Sequence, residues 1–248
     1  MAATTSSYSI TMRLYTAPDH GVVGAVATAI ARAGGIVTAI DVAESSHERL
    51  VVDVTCSASD ADHAKELEAA VGLVSGVEVH KTSDRTFLLH LGGKIEVASK
   101  VPLKNRDDLS MAYTPGVARV CMAIHHDPER TWDLTIRGNS IAVITDGSSV
   151  VGQGDLGPLA ALPSAEAKCM FLREMAGIDG FPLPLMVRNT DEIAAVVSKI
   201  VSVFAGVHLT DMAAPQCFEV QKTLGAMIDI PVLHDNQEGT SAALLAGL

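Results

Sequence analysis

The order of strand-like and helix-like segments changes near Gly92, and this change constrains the fold more than any other feature. Before Gly92 the predicted elements are a strand (8–15), a turn (18–21), a helix (22–35), two strands (36–44 and 49–56), a helix (60–76) and one or two further strands (77–92). Gly34 and Gly35 end the first helix, and Asp60 or Asp62 begins the second. The order βαββαβ is typical of a ferredoxin-like α+β domain, which we predict for residues 1–90.

Residues 91–248 follow a different order. The sequence of residues 92–121 predicts a linker followed by a loop that contains proline and glycine. The elements that follow are a strand (139–147), a glycine-rich segment (147–163), a helix (166–178), an extended segment (181–187), a helix (191–206), a strand (207–212), a helix (217–228) and a strand that runs into a loop (230–239). Because strands and helices alternate, we expect an α/β domain with a mainly parallel sheet over residues 91–248.

Composition excludes several function classes. The formal net charge is −11 and no basic cluster occurs, so nucleic acid and anionic membranes are not expected partners. No apolar run reaches the length of about 20 residues that a spanning helix needs, and no secretory signal is visible. The four cysteines are scattered, with neither a disulfide framework nor zinc spacing. These features favour a cytoplasmic protein with reduced thiols.

The segment Gly152–Gly157 fits the GxGxxG pattern of dinucleotide-binding loops. Pro158 follows its last glycine, and no strand ending in an acidic residue lies about 20 residues further on to read a ribose. We therefore expect this loop not to bind NAD, and we predict no cofactor for this sequence.

Five separated blocks carry a family resemblance: SMAYTPGVA (110–118), AVITDGSSVVGQGDLGPLAALPSAEAK (142–168), EMAGIDGFPLPL (174–185), VHLTDMAAPQCFEV (207–220) and IPVLHDNQEGTS (230–241). In this order they resemble the N-terminal domain of bacterial malic enzymes. In that family a nicotinamide-binding domain follows these blocks, and we expect this sequence to lack it. The segment DHGVVGAVATAIARAGGIVTAID, within βαββαβ order, is similar to an ACT domain, a small-molecule-sensing module found in front of some bacterial malic enzymes.

The resemblance implies a divalent-metal site that this sequence has altered. The family's ligands are a Glu-Asp pair and one Asp of a later Asp-Asp pair, and here the pairs are Thr210-Asp211 and Asp235-Asn236. Losing two carboxylates should weaken a Mg²⁺ or Mn²⁺ site, whose affinity depends on anionic oxygens. We therefore predict no metal, with Asp211, Asn236, Thr210 and Gly154 as substrate-binding residues instead. Glu238 is a conceivable substitute ligand.

The resemblance also implies an acid/base pair, and both positions are retained. Tyr113 and Lys168 match the family residues that move a proton between enolpyruvate and pyruvate, a step that needs neither metal nor nicotinamide. Asp235 is expected to orient Lys168 by charge, so the predicted catalytic residues are Tyr113, Lys168 and Asp235. Without the resemblance, Lys168 would be a surface lysine, Tyr113 a packing residue, and Asp211 and Asp235 helix or turn caps.

Three hypotheses follow for a small carbonyl or carboxylate substrate. The first is an enzyme repurposed for redox-neutral chemistry: a tautomerase, lyase or cyclase. The alternatives are an inactive sensor or scaffold whose ACT half binds an effector, and the N-terminal part of an NAD(P)-dependent malic enzyme. A homodimer is expected in each case. His125, His126 and His234 are interpreted as surface or satisfied residues, and Cys169 and Cys217 as buried small hydrophobes.

Overall fold

The computed structural model describes residues 4–18, 21–150 and 152–247, and the chain divides into two compact units, residues 1–92 and 93–248. The boundary expected from the sequence, after residue 90, lies close to this division. Each unit has its own sheet and its own apolar core.

The first unit is an antiparallel sheet with two longer helices. Its elements are β1 (Ser9–Thr16), α1 (Val22–Arg32), β2 (Ile36–Ser45), β3 (Leu50–Ser57), α2 (Ala61–Gly72), β4 (Val77–Asp84) and α3 (Arg85–His90), after a 3-10 turn at Ser6–Tyr8. The sheet order β2-β3-β1-β4 is the ferredoxin-like topology that the element order predicts. Ile10, Met12 and Leu14 alternate along β1 and are buried in the core that α1 and α2 cover.

The structure corrects one prediction in this unit. Residues after Asp84 form helix α3 and not a further strand, because the Asp84 carboxylate accepts hydrogen bonds from the Thr86 and Phe87 amides and caps the helix. The turn predicted at residues 18–21 includes Asp19 and His20, which lie outside the described residues.

The second unit contains a parallel sheet, which confirms that part of the fold prediction. Its elements are α4 (Arg106–Ala112), α5 (Gly116–His126), α6 (Thr131–Leu134), β5 (Ser140–Thr145), α7 (Pro158–Ala176), β6 (Asp179–Pro184), α8 (Thr190–Ile200), β7 (Gly206–Leu209), α9 (Gln216–Met227), β8 (Val232–His234) and α10 (Thr240–Ala246), with 3-10 turns at Pro128–Arg130, Ile136–Asn139 and Val201–Val203 and a π-helical turn at Asp235–Gly239. The sheet order is β6-β5-β7-β8, and every pair is parallel.

The two faces of this sheet pack against different helices. Ala142 and Ile144 face the larger core with residues of α8 and α9, whereas Val143 packs with Ala165 and Cys169 of α7. This alternation assigns each strand residue to one face. No helix in the described part of the chain is both long and apolar enough to span a bilayer.

Two predictions in this unit were wrong. The loop expected within residues 92–121 contains α4 and the first part of α5; the Asn105 side chain caps α4 by accepting a hydrogen bond from the Asp108 amide. Helix α7 begins at Pro158, well before residue 166, because proline is compatible with the first turn of a helix.

Candidate active site

The predicted site residues that the structure brings together lie at the carboxyl edge of the parallel sheet. The chain runs from β5 to β6 on one side and then crosses to β7 on the other, so the strand order reverses between β5 and β7. In open α/β sheets ligands bind outside the carboxyl ends of the strands at such a point. Thr210 and Asp211 follow β7, and Asp235 follows β8.

Lys168 and Asp235 form an ion pair at this edge. The Lys168 Nζ atom is 2.8 Å from Asp235 Oδ2, with side chains 29% and 15% exposed. Helix α7 holds Lys168 in place because it packs closely on β6: a Cβ atom on Gly180 would lie 2.8 Å from the Cα atom of Cys169. Cys169 and Cys217 are both buried, as the sequence analysis expects.

Asp235 has two further polar neighbours. Thr210 Oγ1 donates a hydrogen bond to Asp235 Oδ2 at 3.0 Å, and the His208 Nε2 atom lies 3.7 Å from the same oxygen. The pKa of the Asp235 carboxyl lies well below its usual range, because His208, Lys168 and Thr210 together outweigh burial, which by itself would raise the pKa. Asp235 is therefore ionised throughout the neutral range.

Asp211 lies in a conformation that few residues other than glycine adopt. Its φ is 53°, it is 1% exposed, and its Oδ2 atom has no hydrogen-bond partner among the described residues. The Ser149 amide donates to its carbonyl at 3.0 Å and so fixes the backbone. Burial raises the pKa of the Asp211 carboxyl, and the charge of Asp235 adds to this effect. A buried, unpartnered oxygen in a strained conformation is typical of a functional residue.

Three of the other predicted residues are exposed at the surface. Tyr113 ends α4, is 67% exposed, and its side chain makes no hydrogen bond or ring contact within the described residues. Asn236 and Gly154 are exposed, and Gly154 bonds through its backbone to Val150 within the glycine-rich loop. Their predicted roles rest on the resemblance alone.

The histidine interpretation is partly wrong. His234 is 1% exposed, and neither of its ring nitrogens has a partner among the described residues, so it is neither a surface residue nor a satisfied one. The sequence analysis also missed His208, which lies beside Asp235. The period of two along β7 could have identified it, because Val207 and Leu209 enter the larger core and His208 then faces α7.

A parallel α/β sheet with a partly buried lysine–carboxylate ion pair at its carboxyl edge defines the class: an α/β unit with charged groups at the ends of its strands. The model of the family "Malic enzyme, N-terminal domain" matches residues 92–225, more than half of the chain. The chain therefore belongs to the malic enzyme family.

Two curated relatives cover nearly the whole chain. An NAD-dependent malic enzyme of Geobacillus stearothermophilus is 48% identical over 98% of this chain and 51% of its own length. The NAD-dependent malic enzyme 1 of Bacillus subtilis is 35% identical over 95% of this chain and 54% of its own length. The chain thus spans about half the length of these relatives.

Solved structures match the fold over roughly two thirds of this chain. A crystal structure of an NAD-dependent malic enzyme from Thermotoga maritima has a TM-score of 0.63 at 40% identity, covering 65% of this chain and 46% of that one. The malic enzyme of Pyrococcus horikoshii has a TM-score of 0.61 at 43% identity, covering 62% of this chain and 36% of that one.

The side chains at the site do not fit the divalent cation that the family implies. Only Asp211 Oδ2 and Asp235 Oδ1 are buried carboxylate oxygens without partners in the described residues. Glu238 is not a substitute ligand, because Gln221 and the His234 amide donate to its two oxygens. Within residues 4–18, 21–150 and 152–247, no three His, Cys, Asp or Glu side chains are arranged to hold a metal ion.

Proposed function

We propose that this chain is the N-terminal, substrate-binding part of an NAD(P)-dependent malic enzyme, which converts malate to pyruvate and CO₂. The ion pair between Lys168 and Asp235, at the carboxyl edge of a malic enzyme sheet, carries the proposal. The names of the Geobacillus and Bacillus relatives support it, since both are NAD-dependent malic enzymes. The nicotinamide would accept the hydride from malate when bound.

The residues of this chain would contribute the proton transfer between pyruvate and its enol. From pyruvate to enol, Lys168 as the free amine is the proposed base that takes the proton from the carbon next to the carbonyl; from enol to pyruvate, its ammonium returns that proton to the carbon. Asp235 holds the Nζ atom at 2.8 Å. Thr210 fixes the Asp235 carboxylate in turn, with a hydrogen bond of 3.0 Å to the same oxygen. Tyr113, which is 67% exposed, is the proposed acid that exchanges a proton with the carbonyl oxygen.

Calorimetric titration with L-malate tests this function directly. The wild-type chain should bind malate, and Lys168→Ala should weaken binding by at least about tenfold, which corresponds to about 1.4 kcal/mol. Lys199→Ala, which changes an exposed lysine of α8, is the matched control and should leave affinity unchanged. Malate binding that is absent, or equal in all three proteins, would contradict the proposal.

A second candidate, redox-neutral chemistry on a keto or enol acid, has one observation in its favour. Thr210 and Asn236 replace two family carboxylates, whereas the Lys168–Asp235 pair is assembled. None of the relatives described above is a tautomerase or cyclase by name, so the malic enzyme proposal comes first. Binding of a 2-keto acid without binding of malate would favour this second candidate.

We also propose that the first unit is an ACT-like sensor of a small effector. Its ferredoxin-like sheet order supports this, as does its position in front of an enzyme-type unit. A thermal-shift screen with amino acids and small carboxylates tests it, and a screen in which no compound stabilises the chain would count against a sensor.

A homodimer is the proposed assembly. Helices α4 and α5, all of whose residues are described, contain no buried residue, while Leu109, Met111 and Met122 are about half exposed or more. Helices this short gain most of their stability from burying an apolar face, so a second copy of the chain is the expected cover. Light scattering after size exclusion should give twice the chain mass, and Met111→Glu should shift it towards the monomer.

A further inference from the structure

The charges around Asp235 suggest what has replaced the family's metal ion. Asp235 Oδ2 accepts from Lys168 Nζ at 2.8 Å and from Thr210 Oγ1 at 3.0 Å. A threonine hydroxyl that donates to the carboxylate acts as its hydrogen-bond partner, whereas a glutamate there would repel it. Asp235 and Thr210 therefore suit a single positive charge, and the ammonium group of Lys168 supplies it.

Two other carboxylates of this unit already accept hydrogen bonds. Asp146 Oδ1 accepts from the Ser148 amide at 3.0 Å and from the Ser148 hydroxyl at 2.7 Å. Both oxygens of Glu238 are engaged by Gln221 and by the His234 amide. Two buried anionic oxygens of the described residues remain unpartnered for an ion such as Mn²⁺. One ring nitrogen of His208 and both ring nitrogens of His234 are also unpartnered, but no three His, Cys, Asp or Glu side chains of the described residues are arranged around one ion.

We infer that Lys168, and not a divalent cation, is the counter-charge of the Asp235 carboxylate, and that this site binds Mg²⁺ or Mn²⁺ only weakly. The inference rests on the proposed function only in taking this cluster as the malic enzyme site. Restoring the two lost carboxylates should therefore create metal affinity, and removing the lysine charge should increase it.

Mn²⁺ binding, measured by electron paramagnetic resonance on the whole chain, tests this inference without any assay of activity. The wild-type chain should bind Mn²⁺ at this cluster with a Kd weaker than about 1 mM. The double variant Thr210→Glu/Asn236→Asp should bind at least about tenfold more tightly, because the number of anionic ligands sets affinity. Lys168→Met should also tighten Mn²⁺ binding, because it removes a positive charge from the site. Misfolding would have the opposite effect and weaken Mn²⁺ binding.

Asp211→Asn keeps the test decisive if the double variant fails to fold. Wild-type binding tighter than about 1 mM that Asp211→Asn abolishes would overturn the inference. If the wild-type chain binds Mn²⁺ more tightly than about 1 mM and Asp211→Asn leaves that affinity unchanged, the ion binds elsewhere on this acidic chain and the inference stands. Failure to bind malate would overturn the proposed function and leave the Mn²⁺ result as it is, so the two failures are distinguishable.

Discussion

Replacing Lys168 by methionine should destabilise the unit 93–248, because it removes the cation nearest the largely buried Asp235 carboxylate. With Nζ and Oδ2 2.8 Å apart, Coulomb's law gives about 6 kcal/mol at an effective dielectric constant of about 20. Desolvation of the two groups offsets much of that attraction. We therefore expect a coupling energy of about 1–3 kcal/mol between the two side chains. Methionine retains most of the apolar stem, so the substitution isolates the charge.

A double-mutant cycle of Lys168→Met and Asp235→Asn measures this coupling. Urea unfolding can be followed by the fluorescence of Trp132, the only tryptophan in the sequence, which lies in α6 of the same unit. Each single variant should lose about 2–3 kcal/mol of unfolding free energy, and the double variant should lose less than their sum. Lys199→Met, a change on the exposed face of α8, should shift stability by less than about 0.5 kcal/mol. A coupling energy below about 0.5 kcal/mol would refute the ion pair as an energetic unit.

Three further variants test other parts of the site. Asp211→Asn should raise the unfolding free energy at pH 7, since burial raises the pKa of the carboxyl and asparagine tolerates a φ of 53°; a lower melting temperature than wild type would contradict this. Because the folded-state pKa of Asp235 is depressed, its stabilisation is full above about pH 4 and is lost as the pH falls towards the folded pKa, so Asp235→Asn should flatten the acid side of a pH–stability curve; parallel curves would show that Asp235 contributes nothing. Gly147→Ala should lower the unfolding free energy by more than about 2 kcal/mol, because its Cβ atom would lie 2.2 Å from the Gly157 backbone. Gly152 has a similar φ but open space around it, so Gly152→Ala should lower the unfolding free energy by only about 1 kcal/mol. Thermal melts measure both losses, and equal losses would mean that the close approach at Gly147 does not matter.

The sequence predicted the elements with strong periodicity. Both sheets follow from residues that alternate or form short β-branched runs, such as 49–56 and 207–212, because burial on one or both faces selects those patterns. It failed for α3, α4 and α5, whose side chains are mostly exposed, so that local capping by Asp84 and Asn105 decides the structure there. Helix propensity alone, without a buried apolar face, predicts a helix only weakly.

At the site, the sequence predicted the residue types and missed part of their arrangement. Lys168 and Asp235 come from elements far apart in the chain, and only the parallel sheet shows that they meet. His208 belongs to no motif, and only the period of two along β7 distinguishes it from its neighbours. Tyr113, which is expected beside Lys168, directly follows α4 and is 67% exposed, and no local pattern predicts that exposure.

Exchange of the methyl protons of pyruvate into D₂O, followed by proton NMR, tests most directly whether Lys168 transfers a proton at this site. The wild-type chain should accelerate exchange above the buffer rate, and Lys168→Ala should slow the enzymatic rate by about 10²–10⁴-fold. Lys199→Ala should exchange pyruvate at the wild-type rate. Exchange at the buffer rate with the wild-type chain, or at the wild-type rate with Lys168→Ala, would contradict the assignment of Lys168 as the base.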